Sequence, residues 1–330
     1  MTLHSLWYRR NPWVWLLYPL TWIFWSISQL RRALYLHDLL PRYRPEVPVI
    51  VVGNISVGGN GKTPLVIWLV QMLRDAGYKP GVVSRGYGGK GASYPLLVTA
   101  DIAASVCGDE PKLIAERCQC PVAVAPKRAD AVKALLASGE VTIIVCDDGL
   151  QHYALARDIE LVVVDGDRRY GNGHLLPMGP LREGLWRLGH ADAIICNGGL
   201  PAVGEYPMQL KAEAPRPVNP ALQGTLAVGE GEVDALAGIG HPPRFFKTLQ
   251  QAGFRLQQTV AFADHQEFSA ESLLAQFAER PLLMTEKDAV KCRSFARDSW
   301  WYLPVSASLP RSLRDLIINK LKDNPYGVRS

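Results

Sequence analysis

From residue 46 onward, short aliphatic and β-branched runs alternate with amphipathic windows. PVIVVG (48–53), PGVVSRG, PVAVAP, VTIIVCDDG (141–149), DIELVVVDG (158–166) and ADAIICNGG (191–199) carry the continuous apolar signature of strands buried on both faces. Between them TPLVIWLVQMLRDAG (63–77, closed by Gly77), DEPKLIAERC and KRADAVKALLAS read as helices. Such alternation predicts βαβ units, a mostly parallel sheet and helices on both of its faces. A Pro- and Gly-rich stretch near 200–222 interrupts the pattern. It resumes on a smaller scale with VDALAGIGHP (233–242), a helix over RFFKTLQQAGF, the strand RLQQTVAFADH, a helix near 270–279 and PLLMTEKD. The expected organisation is an N-terminal helical segment (1–45), a larger α/β domain (46–205) and a smaller α/β domain (206–330).

The first segment follows a different rule. Residues 11–30, NPWVWLLYPLTWIFWSISQL, hold no charge and are bracketed by Arg9-Arg10 and Arg31-Arg32. As a helix this stretch spans ~30 Å, the thickness of a bilayer core. Trp15, Tyr18, Trp22 and Trp25 recur at helical spacing, and five of the nine Trp lie in residues 1–50, which suits a headgroup boundary. Pro19 is expected to kink or break a spanning helix. The segment therefore reads as a membrane anchor, either a tilted single span or a helix lying in the interface.

Charge changes the picture in one respect. Of the net +5, +4 sits in residues 1–50, so the rest of the chain lacks the basic face of a nucleic-acid binder. The six Cys form neither a C-x-x-C pair nor a zinc pattern, and read as thiols of a reducing compartment.

GNISVGGNGKTP (53–64) lies between the first strand and the first helix. It reads as a phosphate-binding loop over Ser56, Val57, Gly58, Gly59, Asn60, Gly61, Lys62 and Thr63. Backbone N–H groups would wrap a nucleotide's phosphates, Lys62 would reach the β- and γ-phosphates, and the Thr63 hydroxyl would meet Mg²⁺. The usual pattern has Gly at position 56; this chain has Ser56. VTIIVCDDG then supplies Asp147 and Asp148 at a strand end, where such folds place a metal carboxylate. The fold class is thus a P-loop NTPase-type parallel sheet, with a smaller α/β domain and the N-terminal hydrophobic helix added.

Several further segments recur in one order: SRGYGG (84–89), GDEP (108–111), DDGLQH (147–152), LLPMGPLRE (175–183), GIGHPPRF (238–245), ADH (263–265) and TEKDAVK (285–291). With the phosphate loop, this set resembles the tetraacyldisaccharide 4'-kinase family of lipid A biosynthesis along nearly the whole chain, Ser56 included. The resemblance implies phosphorylation by ATP, with Mg²⁺, of the 4'-hydroxyl of a tetraacylated glucosamine disaccharide 1-phosphate. It implies Asp109 as the base and His265 as its partner, with Lys62 on the transferring phosphate and Arg85 on that phosphate or on the substrate. Glu110 joins Thr63, Asp147 and Asp148 as expected metal ligands. The loop GDRRYGNGHLLPMGPLRE (166–183) suits the phosphorylated sugar head group, through Arg168, Arg169, Asn172, His174, Arg182 and Glu183. The roles of Thr285, Glu286, Lys287 and Asp288 stay open. The expected protein is a monomer at the inner membrane, peripheral or held by one helix, with its site on the cytoplasmic face. A membrane-recruited P-loop ATPase or GTPase switch would share the loop and the anchor, yet leave GDEP, ADH and the Arg-rich loop without a task.

Overall fold

A computed structural model describes residues 7–8, 12–229, 231–277 and 279–323. In chain order the strands are β1 (Val49–Gly53), β2 (Pro80–Ser84), β3 (Leu96–Leu97), β4 (Val122–Val124), β5 (Ile143–Asp147), β6 (Ile159–Asp165), β7 (Ala193–Asn197), β8 (Glu205–Ala212), β9 (Arg216–Pro217), β10 (Glu232–Ala237), β11 (Arg255–Ala261), β12 (Leu282–Thr285), β13 (Trp300–Leu303) and β14 (Val305–Ser308). The α-helices are α1 (Tyr18–Leu36), α2 (Lys62–Asp75), α3 (Ala104–Cys107), α4 (Asp109–Cys118), α5 (Arg128–Leu136), α6 (Pro242–Gln251), α7 (Ala270–Gln276), α8 (Glu286–Cys292) and α9 (Arg311–Lys322).

Nine strands form the larger sheet in the order β14-β8-β7-β6-β1-β5-β2-β4-β3, parallel except at its two edges. The runs of Val and Ile in β1, β5 and β6 follow from burial on both faces, because helices cover each side. One core layer joins Ile50 and Val52 of β1 to Leu65, Leu69 and Leu73 of α2 and to Leu313 and Ile317 of α9. The chain crosses from β5 to β6 over β1, so the loop leaving β1 opens at a switch point where parallel sheets bind ligands.

The smaller sheet has the order β11-β10-β12-β13-β9 and packs Leu236, Leu282, Met284 and Trp300 against Leu273 and Phe277. The two sheets do not divide the chain at 205/206. β8 begins at Glu205 and completes the larger sheet, and β14 returns from the smaller sheet to pair antiparallel with it. The Pro/Gly-rich signal hid β8, whose burial is patchy because it lies beside the edge strand.

The N-terminal segment is not one helix. Pro12–Leu17 is a 3-10 turn, and α1 starts at Tyr18 with Pro19 in its first turn, where a missing N–H costs nothing. Pro19 therefore starts the helix and does not break it. Among the described residues no helix is long and apolar enough to cross a membrane. Trp13, Trp15, Tyr18, Trp22 and Trp25 are exposed, whereas Thr21 is buried and its hydroxyl accepts from Met178 N at 3.1 Å. Arg32 stacks over Trp186 at 4.3 Å. Arg9 and Arg10, half of the expected cationic bracket, lie outside the described residues.

Candidate active site

The phosphate loop is braced by its own side chains. Asn54 Nδ2 donates to Ser56 O at 2.7 Å, and Asn60 Nδ2 donates to Ser56 Oγ at 2.9 Å. The hydroxyl that replaces the usual glycine thus ties the two limbs of the loop together. Gly61 has φ +86°, and a Cβ there would run into the Asn197 amide, which itself donates to Asn60 O at 3.0 Å. Lys62 Nζ reaches Asn54 Oδ1 and Asp148 Oδ1, both at 3.3 Å. Thr63 sits in the first turn of α2 beside it.

The two aspartates after β5 differ sharply. Asp148, in the left-handed region at φ 47°, pairs with Lys62 and with Arg182 at 3.3 Å. Burial pushes its pKa up, but those two cations win and hold it at about 2. Asp147 is fully buried, and Ser84 Oγ donates to its Oδ2 at 3.3 Å. Its Oδ1 has no hydrogen-bond partner among the described residues. Burial first, then the charges of Glu110 and Asp148, push Asp147 up to about 7 against the pull of Lys62 and Arg128. A buried carboxylate with an unpartnered oxygen, under the negative charge of Glu110 and Asp148, is a fit for a divalent cation. No group of three or more metal-capable side chains occurs among the described residues. Magnesium does not require one, because it keeps waters and takes phosphate oxygens.

A second cluster joins the two sheets. Gly108 opens α4, which places Asp109 and Glu110 in its first turn. Asp109 is buried, and its Oδ1 lies 3.0 Å from Nδ1 of His265 in the loop after β11. Burial raises the Asp109 pKa, yet the His265 hydrogen bond and the Lys287 charge bring it below the usual carboxylate value. His265 is pulled down by burial and up by Asp109, with a net rise. Tyr87 packs edge-on against the imidazole at 4.9 Å. Lys287, whose role the sequence left open, sits at the hub, with Nζ 2.9 Å from Glu110 and 3.0 Å from Asp264. Glu110, expected among the metal ligands, is held by an ammonium group in this arrangement.

One cavity of about 480 Å³ connects the two clusters. Its wall includes Gly59, Lys62 and Thr63 on one side and Glu110, Asp264 and Lys287 on the other, with apolar surface from Ile239 and Phe245. Comparison with known proteins agrees along the whole chain. The family model described as Tetraacyldisaccharide-1-P 4'-kinase matches residues 13–322. The chain belongs to that family. The tetraacyldisaccharide 4'-kinase of Aeromonas hydrophila is 62% identical over 320 residues, covering 97% of this chain and 96% of the relative. The enzyme of that name from Vibrio cholerae is 52% identical over 339 residues, with both chains covered in full. Among solved structures, LpxK from Aquifex aeolicus in complex with ATP superposes with a TM-score of 0.76 at 27% identity, covering 93% of this chain and 99% of that one.

Within this kinase fold the six residues expected to grip the acceptor part company. Arg182 stands at the site, on Asp148. Arg168 is drawn into the phosphate loop: it donates to Gly59 O and to Asn60 Oδ1 at 3.2 Å, and pairs with Asp165 at 3.1 Å. Arg169 forms a two-pronged pair with Glu205 at 2.6 and 2.8 Å, fastening the loop to β8. Asn172 Nδ2 donates to Met178 O at 2.9 Å and closes the loop on itself. His174 packs against Trp15 of the N-terminal turn at 5.6 Å. Glu183 is buried among Gln151, Tyr153 and Arg187. In the geometry shown, Arg169, Asn172 and Glu183 are internal ties, because each has its charge or polar atoms matched within the chain. Arg85 is exposed just past β2, with no ion-pair partner among the described residues. The sequence reading also missed Arg244, which pairs with Asp165 at 3.1 Å and Asp167 at 2.6 Å and so ties α6 to the larger sheet.

Proposed function

We propose that the protein transfers the γ-phosphoryl group of ATP to the 4'-hydroxyl of a tetraacylated glucosamine disaccharide 1-phosphate at a membrane surface. The observation that carries this reading is one cavity walled by the phosphate loop and, opposite it, by Glu110, Asp264 and Lys287, which adjoin the Asp109–His265 pair. A nucleotide switch needs the first wall only; an acceptor hydroxyl needs a base on the second.

The acceptor oxygen attacks the γ-phosphorus while the bond from that phosphorus to the β,γ-bridging oxygen breaks, releasing ADP. The hydroxyl proton passes to Asp109, through the carboxylate oxygen that has no hydrogen-bond partner, Oδ2. Lys62 swings from Asn54 and Asp148 onto the β- and γ-phosphate oxygens, and the loop's N–H groups hold the rest of the chain of phosphates. Arg182 and Arg85 supply further positive charge to the phosphoryl group or to the acceptor. Thr63 and Asp147 would hold magnesium, which when bound neutralises charge on the β- and γ-oxygens. The exposed aromatic face of the N-terminal turn and α1 lies in the membrane interface, peripheral and on the cytoplasmic side, where it concentrates a monomer at its lipid.

The test is direct. Full-length protein incubated with ATP, Mg²⁺ and the lipid disaccharide 1-phosphate adds one phosphate to the lipid by mass spectrometry. ATP consumption that leaves the lipid unmodified would overturn the reading.

A further inference from the structure

We propose that Lys287 is the positioning residue of this site: it fixes the tautomer of His265 and thereby leaves Asp109 Oδ2 free to take the acceptor's proton. The inference rests on the kinase reading above and adds to it the device that readies its base.

A lysine ammonium has three N–H groups. Two carboxylate oxygens accept from Lys287 Nζ, Glu110 Oε1 at 2.9 Å and Asp264 Oδ1 at 3.0 Å, and His265 Nε2 lies 3.3 Å away. With Nε2 as the third acceptor all three donors are used. Asp109 Oδ2, at 3.8 Å, is left outside hydrogen-bond range and keeps only the electrostatic attraction. Lys287 stays charged, because Glu110, Asp109 and Asp264 outweigh the burial that opposes its proton.

In the proposed arrangement the ammonium donates into Nε2, which offers its lone pair, so the ring is neutral and its one proton lies on Nδ1. That proton goes to Asp109 Oδ1, 3.0 Å away, which also accepts from Glu110 N at 2.9 Å. One oxygen of the carboxylate is thus filled twice and the other is left empty though buried. An unpaired buried acceptor is costly, and its persistence beside a filled one marks the oxygen that meets a partner from outside. The opposite tautomer would turn a lone pair toward Asp109 and an N–H toward Lys287, breaking both contacts.

The lysine is itself held. Thr285 caps α8 by accepting from Asp288 N at 3.1 Å and donates to Asp288 Oδ2 at 2.6 Å; the same carboxylate oxygen takes Gly238 N at 2.8 Å. This cap anchors the turn carrying Lys287 to the end of β10 in the smaller sheet. Glu110 comes from the larger sheet, so the ammonium joins its charge across the cavity wall to that of Asp264.

The experiment pairs kinetics with ring-nitrogen NMR on the full chain labelled with ¹⁵N-histidine, the His265 signals being assigned by their loss in His265→Gln. The wild type is expected to show Nδ1 protonated and Nε2 as an unprotonated acceptor at neutral pH. An Nε2–H tautomer or an imidazolium would overturn the proposal even if no lysine variant folds. Lys287→Met keeps most of the stem and removes the donor. It is expected to shift the ring toward the Nε2–H form and to lower kcat by roughly 10²-fold, with KM for ATP changed less than about threefold. Lys287→Arg is expected to restore part of kcat. An unchanged tautomer in Lys287→Met, or a loss residing in KM for ATP, would overturn it. Failure of the kinase reading is separate: a wild type that phosphorylates no lipid refutes that reading, while the ring spectrum still decides what Lys287 does.

Discussion

His265 Nδ1 lies 3.0 Å from Asp109 Oδ1, although the two residues are 156 positions apart, Asp109 at the start of α4 beside the larger sheet and His265 in the loop after β11 of the smaller one. A pair built this way exists only while the two sheets keep their relative position. If base and imidazole act as one unit, Asp109→Asn and His265→Ala each lower kcat by at least ~10²-fold with little change in KM for ATP. The double variant then costs far less than the product of the singles. Multiplicative losses in that cycle would separate the two residues and leave His265 as a contact of its own.

The arginines of the 166–183 loop have different partners, Arg169 on Glu205 and Arg182 on Asp148, and are expected to divide into structural and chemical ones. Arg169→Met leaves Glu205, whose side chain is only 5% exposed, without its partner. The expected result is a stability loss of about 1–2 kcal/mol in urea titration, with kcat and the lipid KM nearly unchanged. Arg182→Met should do the reverse, lowering kcat/KM by at least ~10-fold at near-normal stability. Equal kinetic losses in both would return Arg169 to the acceptor site.

The proposed membrane attachment rests on the aromatic face before and within α1. Replacing Trp13, Trp15 and Trp22 with Ser alters side chains that are 71%, 58% and 59% exposed, so the fold should persist. Vesicle co-sedimentation should fall sharply, and KM for the lipid should rise more than KM for ATP. A triple variant that still sediments fully with vesicles would place attachment elsewhere on the protein.

Much of the fold follows from the spacing of apolar residues, because parallel strands buried on both faces cannot tolerate polar interruptions. β1, β5 and β6 are therefore plain in the sequence, while β8 is not: only Met208 of it is buried, and it lies within a stretch full of Pro and Gly. Phosphate-loop chemistry is local, and so are its residues. Ion pairs are not. Nothing in the sequence says that Arg169 meets Glu205, or that Lys287, one lysine after a strand, gathers Glu110, Asp264 and His265. The resemblance singled out TEKDAVK, but only the register of two sheets gives its lysine a task.

Asp147 should make the nucleotide-free protein less stable as the pH rises. Its carboxyl titrates near 7 in the folded chain, against 3.8 for a free carboxyl, because burial and then Glu110 and Asp148 penalise the charged form. Between those two values the folded state holds a proton that the unfolded state has released. Stability therefore falls through the window from about pH 4 to about pH 7, and by linkage the loss approaches ~4 kcal/mol as an upper limit. Asp147→Asn keeps a partner for Ser84 and removes the charge, so the window should vanish. Urea titrations should find the variant about equal to the wild type near pH 4 and roughly 2–4 kcal/mol more stable at pH 8, yet inactive. Saturating Mg²⁺ and ATP should narrow the gap at pH 8 by satisfying the wild-type carboxylate, and should do so less for the variant. A wild type whose stability rises between pH 4 and pH 7 relative to Asp147→Asn would mean that the carboxylate is paired in the folded protein and is not waiting for a cation.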